Sequence, residues 1–258
     1  MKKKSRFPLI YVAIITAILY VPIVVAVIFS FNDSRLYTTW GGFSLRWYEI
    51  LFKDENIFKA LLNSVLVGVT SCILSAVIAT AAALGFRKKQ PAEEIVKPIS
   101  MIPIMVPEII LGMAFLVFFR FLNLPFGFIT LVLAHMTFCI PYIYLQVSTR
   151  VASLDIAPTE AARMLGAGPF KAFFTITLPD LLPSILSGMF IAFAMSFDDV
   201  IISMFVVGPR FNTLPIKIYT QVKTGITPEI NALCTLMLLV TVICLGASRL
   251  VKKNKAQN

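Results

Sequence analysis

The sequence predicts an all-α membrane protein with six transmembrane helices and both termini cytoplasmic. Three observations carry that expectation. The 258 residues are 58% hydrophobic and only 14% charged, with a mean hydropathy of +0.87, whereas ordinary soluble domains are roughly 45–50% apolar and about 25% charged. Six stretches approach or exceed the length of about 20 mostly apolar residues that a spanning helix needs. The basic residues are also unevenly shared between the two sides those spans define. The N-terminal tail, residues 87–97, the 148–182 loop and the C-terminal tail hold 15 of the 23 Lys and Arg residues. The other side holds 8: Arg35, Arg46, Lys53, Lys59, Arg120, Arg210, Lys217 and Lys223. Positive-inside bias places the richer side, and with it both ends, in the cytoplasm.

The first span, 8–30, follows the tail Lys-Lys-Lys-Ser-Arg and is too long for a signal-peptide core, so it is expected as a retained start anchor. The second covers 61–86. The third, 98–121, contains Pro103 and Pro107, and the tight Leu-Asn-Leu-Pro turn joins it to the fourth, 126–147. The fifth covers 183–207 and the sixth 229–250, where Glu229 suits the positive end of a helix as a first-turn cap. All six are expected to form one transmembrane domain spanning 1–258.

A net charge of +10 raises the question of nucleic acid, but phosphate binding needs an exposed basic face. Here Lys and Arg sit at the edges of apolar segments, as topology signals do, so no nucleic-acid partner is expected. Cys72, Cys139, Cys234 and Cys244 lie inside spans without a Cys-x-x-Cys spacing, which fits small buried hydrophobes. His135 and Cys139 fall one helical turn apart, yet metal sites want three or four ligands. His135 is read as a packed histidine and no metal is expected.

The longest cytoplasmic segment, 154–183, is too polar and too broken by proline to span a bilayer. Pro158 suits a first helical turn and Gly166 a left-handed C-terminus. Pro169 opens a second short helix, which Pro179 is expected to end. The apolar groups Leu154, Met164 and Leu165, with Phe170, Phe173 and Phe174, need a cover. A membrane surface or a cytoplasmic protein would supply one.

The stretch "EAARMLGAGPFKAFFTITLP" resembles the EAA loop of permease subunits from binding-protein-dependent ABC importers, through Glu160, Ala161, Ala162, Gly166, Ile176, Leu178 and Pro179. The stretches "FNDSRLYTTWGGFSLRWYEIL", "MIPIMVPEIILGMAFLV", "HMTFCIPYIYLQVSTR", "MSFDDVIISMFVVGP" and "LPIKIYTQVKTGITPEINALCTLML" extend the likeness to the polyamine branch, the spermidine/putrescine permeases. The similarity runs from about Pro8 to Leu250.

The resemblance implies a type I ABC importer permease fold and a multi-pass protein of the bacterial cytoplasmic membrane. It implies a homologous second permease, a dimer of ATPase subunits carrying ATP and Mg, and an extracytoplasmic binding protein that delivers the polyamine. No cofactor is expected on this chain. Residues 154–178 would be the coupling loop: Glu160 would make a polar contact to the ATPase, Ala161 and Ala162 would permit close approach, and Gly166 would make the turn.

Asp198 and Asp199 stand inside the apolar run "AMSFDDVI". A carboxylate at the centre of a spanning helix costs roughly 2.5–3.5 kcal/mol on insertion scales, so two adjacent ones require a purpose. At 100° per residue, Ser196, Asp199 and Ser203 share one face, continued by Gly188 and Ala192, and that small polar stripe is expected to line a pathway. Asp198 lies 100° round, facing a partner or flanking the site. One of the two acids has a structural alternative, bonding backbone groups, Ser196, Ser203 or Arg residues of a partner chain.

Glu108 is a third intramembrane acid, where the family pattern has aspartate, so charge is kept with a longer reach. Three acids with no basic counterpart suit a multiply charged amine whose methylene stretches lie on aromatic faces. Trp47, matched in the family, either stacks an amine near the entrance or sits as a belt tryptophan at the membrane surface.

No Gly-x-x-x-x-Gly-Lys-Ser/Thr loop, His-Glu-x-x-His or Gly-x-Ser-x-Gly is present, so neither ATP binding through a Walker loop nor these hydrolases is supported and the chain is not read as an enzyme. An ion-coupled secondary transporter would also use membrane carboxylates, but the two halves show no clear repeat. An acid–base pair of the aspartyl protease kind needs carboxylates meeting across helices, which neighbours 100° apart on one helix do not.

Overall fold

The computed structural model describes residues 7–35, 39–87, 91–224 and 228–255. The Lys-Lys-Lys-Ser-Arg tail, Lys88, Lys89, residues 256–258 and the Cys244 side chain lie outside the described residues.

Every long apolar run winds into α-helix, since in hydrocarbon the backbone must satisfy its own hydrogen bonds. In chain order the helices are α1 (Phe7–Phe29), α2 (Arg46–Lys53), α3 (Glu55–Gly85), α4 (Pro91–Met105), α5 (Glu108–Phe121), α6 (Phe128–Ala152), α7 (Ala157–Met164), α8 (Pro169–Ala172), α9 (Leu178–Asp198), α10 (Ile201–Val206), α11 (Leu214–Thr224) and α12 (Pro228–Lys255). Among the described residues, four helical stretches are long and apolar enough to cross a membrane: Tyr11–Phe29, Glu55–Gly85, Phe128–Ala152 and Pro169–Asp198. The bent pair Lys97–Met105 and Glu108–Phe121 passes the same test only as a unit, and α12 contributes the shorter apolar stretch Pro228–Ile243.

Two expected spans differ from straight helices. The third, 98–121, turns by 108° between α4 and α5. Pro107 lacks an N–H and disfavours helical geometry in Val106, and Pro107 itself is extended with φ −54° and ψ 132°. The fifth was expected at 183–207, yet helix begins at Pro169 and ends at Asp198, and α10 follows after Asp199 and Val200. Pro179 does not end that helix. A π-helical turn, Phe173–Thr177, precedes it, and the Leu178 N–H reaches back five residues to Phe173 O. The wider turn lets the chain pass a residue with neither an N–H nor room for a regular fourth-residue carbonyl.

The chain forms two compact units, residues 59–219 and residues 1–58 with 220–258. In the first, α6 and α9 pack antiparallel. The thiol of Cys139 lies 3.7 Å from Ala192 O, and Gly188 meets Ile143 so closely that a Cβ there would sit 2.9 Å from Ile143 Cα. Small residues let helices approach in a bilayer. Leu131, Ala134, Cys139, Ile143, Val147, Leu181 and Ala192 are fully buried around this seam. The stripe of Gly188, Ala192 and Ser196, expected to line a pathway, is therefore the packing face of α9.

In the second unit α2 and α1 both contact α12. The loop before α2 folds around Asn32. Its side chain accepts from Gly41 N at 2.7 Å and donates to Thr39 O at 2.9 Å, while Trp47 Nε1 donates to Asn32 O at 2.7 Å.

Candidate functional site

The break between α9 and α10 creates orphan N–H groups, and Asp199 satisfies them. One carboxylate oxygen accepts from Ile202 N at 3.2 Å. The other accepts from Ser203 N at 2.8 Å and from Ser203 Oγ at 2.6 Å. Asp at such a position is a strong helix cap. His135 of α6 lies alongside, its Nε2 3.4 Å from Asp199 Oδ2, with both side chains nearly inaccessible at 2% and 5%. His135 also bridges Ser196 Oγ through Nδ1 at 2.7 Å and Ser203 Oγ through Nε2 at 3.0 Å.

Three sequence expectations change here. Ser196, Asp199 and Ser203 do come together, but around a helix break and not along one continuous face. Ser196 is 5% exposed and bonded to His135, so it belongs to the α6–α9 seam. Asp199 also has a ring neighbour that the sequence did not pair with it, because His135, the single histidine of the chain, stands beside it. An ionisable group inside a span is itself a marker of function, and His135 carried that signal in the sequence.

Asp198, the last residue of α9, is exposed, as is Glu108 at the start of α5. Both line one open cavity with Ala194, Met195, Asp199, Val200 and Ile201. A smaller recess continues from Glu108, Met195 and Asp199 to Pro103, Val106, Phe138 and Tyr142. Two breaks in the helical backbone thus meet at one hollow, with acids on its mouth and aromatic side chains behind. Phe138 and Tyr142 went unnoticed in the sequence, although their spacing of four residues places them on one face of α6.

Trp47 does not offer its ring to an amine. Its ring is 5% exposed, its N–H is committed to Asn32 O, and the Arg46 guanidinium lies 5.5 Å from the ring centroid. A buried indole with its donor engaged holds the Asn32 loop and has no open face for an amine.

The 154–178 segment presents a different surface. Asp155 Oδ1 accepts from Ala157 N at 3.0 Å and starts α7. Its end carries paired bonds from Gly166 N to Arg163 O and from Ala167 N to Ala162 O, both 3.0 Å, with Gly166 at φ +90°. This is the Schellman arrangement, which wants a left-handed residue where Gly166 stands. Glu160 and Ala161 are exposed and Ala162 half-buried. Met164 and Leu165 are each 89% exposed and Phe170 80%. Leu178 and Pro179 sit in the first turn of α9.

Residues 73–252 match the family described as binding-protein-dependent transport system inner membrane component. The spermidine/putrescine transport system permease protein PotC of Escherichia coli (strain K12) is 34% identical over 248 residues, covering 96% of this chain and 94% of that protein. PotC of Haemophilus influenzae is 36% identical over 253 residues, 96% and 98% of the two chains. The putrescine transport system permease protein PotI of Escherichia coli (strain K12) is 39% identical over 229 residues, 85% of this chain and 81% of the other. Among solved structures, a bacterial ABC transporter involved in the import of the acidic polysaccharide alginate aligns over 98% of both chains with a TM-score of 0.72. At 12% identity that likeness concerns the fold alone.

Proposed function

This chain belongs to the family of binding-protein-dependent transport system inner membrane components, and from that membership we infer that it is the permease subunit of an ATP-driven importer of polyamines. Its near full-length similarity to spermidine/putrescine and putrescine permeases supports the cargo class. The observation that carries the residue-level reading is the cavity in which Glu108 and Asp198 stand open over an aromatic recess. Primary ammonium groups would pair with the carboxylates through charge-assisted bonds, and Tyr142 and Phe138 offer π faces.

In this reading six segments cross the bacterial cytoplasmic membrane with both termini inside, as the basic-residue bias supports. A homologous second permease completes the passage, and an extracytoplasmic binding protein loads it. Two cytoplasmic ATPase subunits hold ATP and Mg, and this chain itself binds no cofactor and catalyses nothing. The exposed apolar knob of Met164, Leu165 and Phe170, with Glu160 beside it, supports docking of residues 154–178 onto an ATPase. Closure of the ATPase dimer would then pull on the continuous helix from Pro169 to Asp198, whose far end carries Asp198 at the cavity.

The test is uptake of labelled spermidine and putrescine by the reconstituted assembly. Saturable, ATP-dependent uptake of one or both is expected. ATP turnover without transport of either polyamine, together with uptake of another cation that polyamines do not compete with, would overturn the cargo assignment.

A further inference from the structure

We propose that His135 is a positioning residue of the cation cavity: it holds both sides of the α9–α10 break, commits Asp199 to capping α10, and so leaves Asp198 and Glu108 as the carboxylates that meet the passenger. The inference rests on the polyamine cavity described above and divides the labour inside it.

The donor count assigns the direction of the bonds at Ser203. Ser203 has one hydroxyl proton, and the 2.6 Å bond to Asp199 Oδ2 uses it. The 3.0 Å contact between Ser203 Oγ and His135 Nε2 must therefore have Nε2–H as donor. The other ring nitrogen, Nδ1, is hydrogen-bonded to Ser196 Oγ across 2.7 Å, and a hydroxyl can serve as either donor or acceptor there. The result is one connected chain, Ser196, His135, Ser203 and Asp199. It links the last turn of α9 to the first turn of α10 through a side chain of α6.

Asp199 is saturated by this arrangement. It accepts from Ile202 N, Ser203 N and Ser203 Oγ, with His135 Nε2 a fourth neighbour at 3.4 Å, while a carboxylate offers about four lone-pair sites. An ammonium group would have to displace those partners inside a pocket where unpaired N–H groups are costly. Asp198 has the opposite character. Its side chain is exposed on the cavity beside Glu108, and its backbone is where α9 stops. Its direction is set by the break, and the break is pinned by His135.

The experiment uses the assembled importer, with saturation of spermidine uptake and the yield of intact complex as separate readouts. His135→Leu removes both ring nitrogens and is expected to raise KM for spermidine about tenfold, as loss of one aimed charge contact would. Vmax per assembled complex should stay within about twofold, because the chemistry of ATP turnover is elsewhere. His135→Gln, whose amide both donates and accepts, should return KM to within about threefold of the parent. In an Asp198→Asn background His135→Leu should add less than about twofold, since two changes acting through one contact are not additive. If His135→Leu prevents assembly, Ser203→Ala cuts the same chain without a large change in volume and should give the same rise in KM and the same lack of additivity.

Full additivity of the His135 and Asp198 changes, or a loss of Vmax or yield with KM unaltered, would overturn the positioning role. A KM unaffected by Asp198→Asn, whatever the histidine does, would instead overturn the cavity assignment on which it rests.

Discussion

Gly166→Ala isolates the backbone of the coupling segment from its surface chemistry. Gly166 has φ +90°, and a Cβ built there meets nothing within 4 Å. Substitution therefore adds no clash and removes no contact. The whole cost is the left-handed backbone, about 1–2 kcal/mol for an L-residue with a Cβ. That energy falls on a helix with little to spare: α7 has 8 residues, far below the roughly 12–15 at which isolated helices become marginally stable. The bonds at risk are Gly166 N to Arg163 O and Ala167 N to Ala162 O, the pair that turns the chain behind Met164 and Leu165. A shift of that size moves a two-state equilibrium by roughly 5–30-fold. Binding of the solubilised permease pair to purified ATPase should weaken by that factor, and spermidine uptake at limiting ATPase should fall in parallel. Gly166→Asn, which tolerates the left-handed region better, should lose less on both measures. Parent-like ATPase affinity and uptake in Gly166→Ala would refute the argument that this cap shapes the docking surface.

Replacing the two aspartates in turn should separate their roles. Asp198→Asn removes a charge-assisted contact of about 1.5–3 kcal/mol and should raise KM for spermidine at least tenfold. Asp199→Asn keeps only one of the two accepting oxygens and turns an NH2 toward donors of α10, so the melting temperature of the solubilised protein should fall while KM changes by less than threefold; the reverse pattern in uptake assays would count against the assignment. Trp47→Phe leaves Asn32 O without its donor and should destabilise the protein by about 1–3 kcal/mol, seen as a lower melting temperature with spermidine KM unaltered. Gly188→Val would press a side chain into Ile143 of α6 and should cost about 1–3 kcal/mol of overpacking, read as earlier thermal unfolding in detergent.

Composition alone made the helical, membrane-spanning character legible, because a chain with mean hydropathy +0.87 has few other ways to satisfy its backbone. The local chemistry of the coupling segment was equally readable: Pro158, Gly166 and Pro169 each sit where backbone geometry demands them. Proline at 179 misled, since a π turn absorbs a missing N–H without ending a helix, and nothing in a propensity scale marks that event. The wheel through Ser196, Asp199 and Ser203 placed the right residues together for the wrong reason. It assumed unbroken helix, and the residues meet because Asp199 folds back to cap α10 across the break. What the wheel could not contain was α6. Whether a small, polar stripe faces water or a neighbouring helix depends on what packs opposite, and His135, Cys139 and Ile143 occupy that place.

The two interruptions explain each other physically. Irregular backbone at membrane depth persists only where it is covered by protein or lines a watered cavity. The α4–α5 bend at Val106 and Pro107 and the α9–α10 break at Asp199 and Val200 border the same hollow. The short helices α5 and α10 pack on one another, closely enough that a Cβ on Gly112 would lie 2.5 Å from Phe205 Cδ2. Each break also delivers an acid: Glu108 begins α5, and Asp198 ends α9. A straight pair of spans would bury those carboxylates against neighbours or expose them to lipid. Two breaks facing each other turn them toward a common space, which is why the acids and the prolines belong to one design.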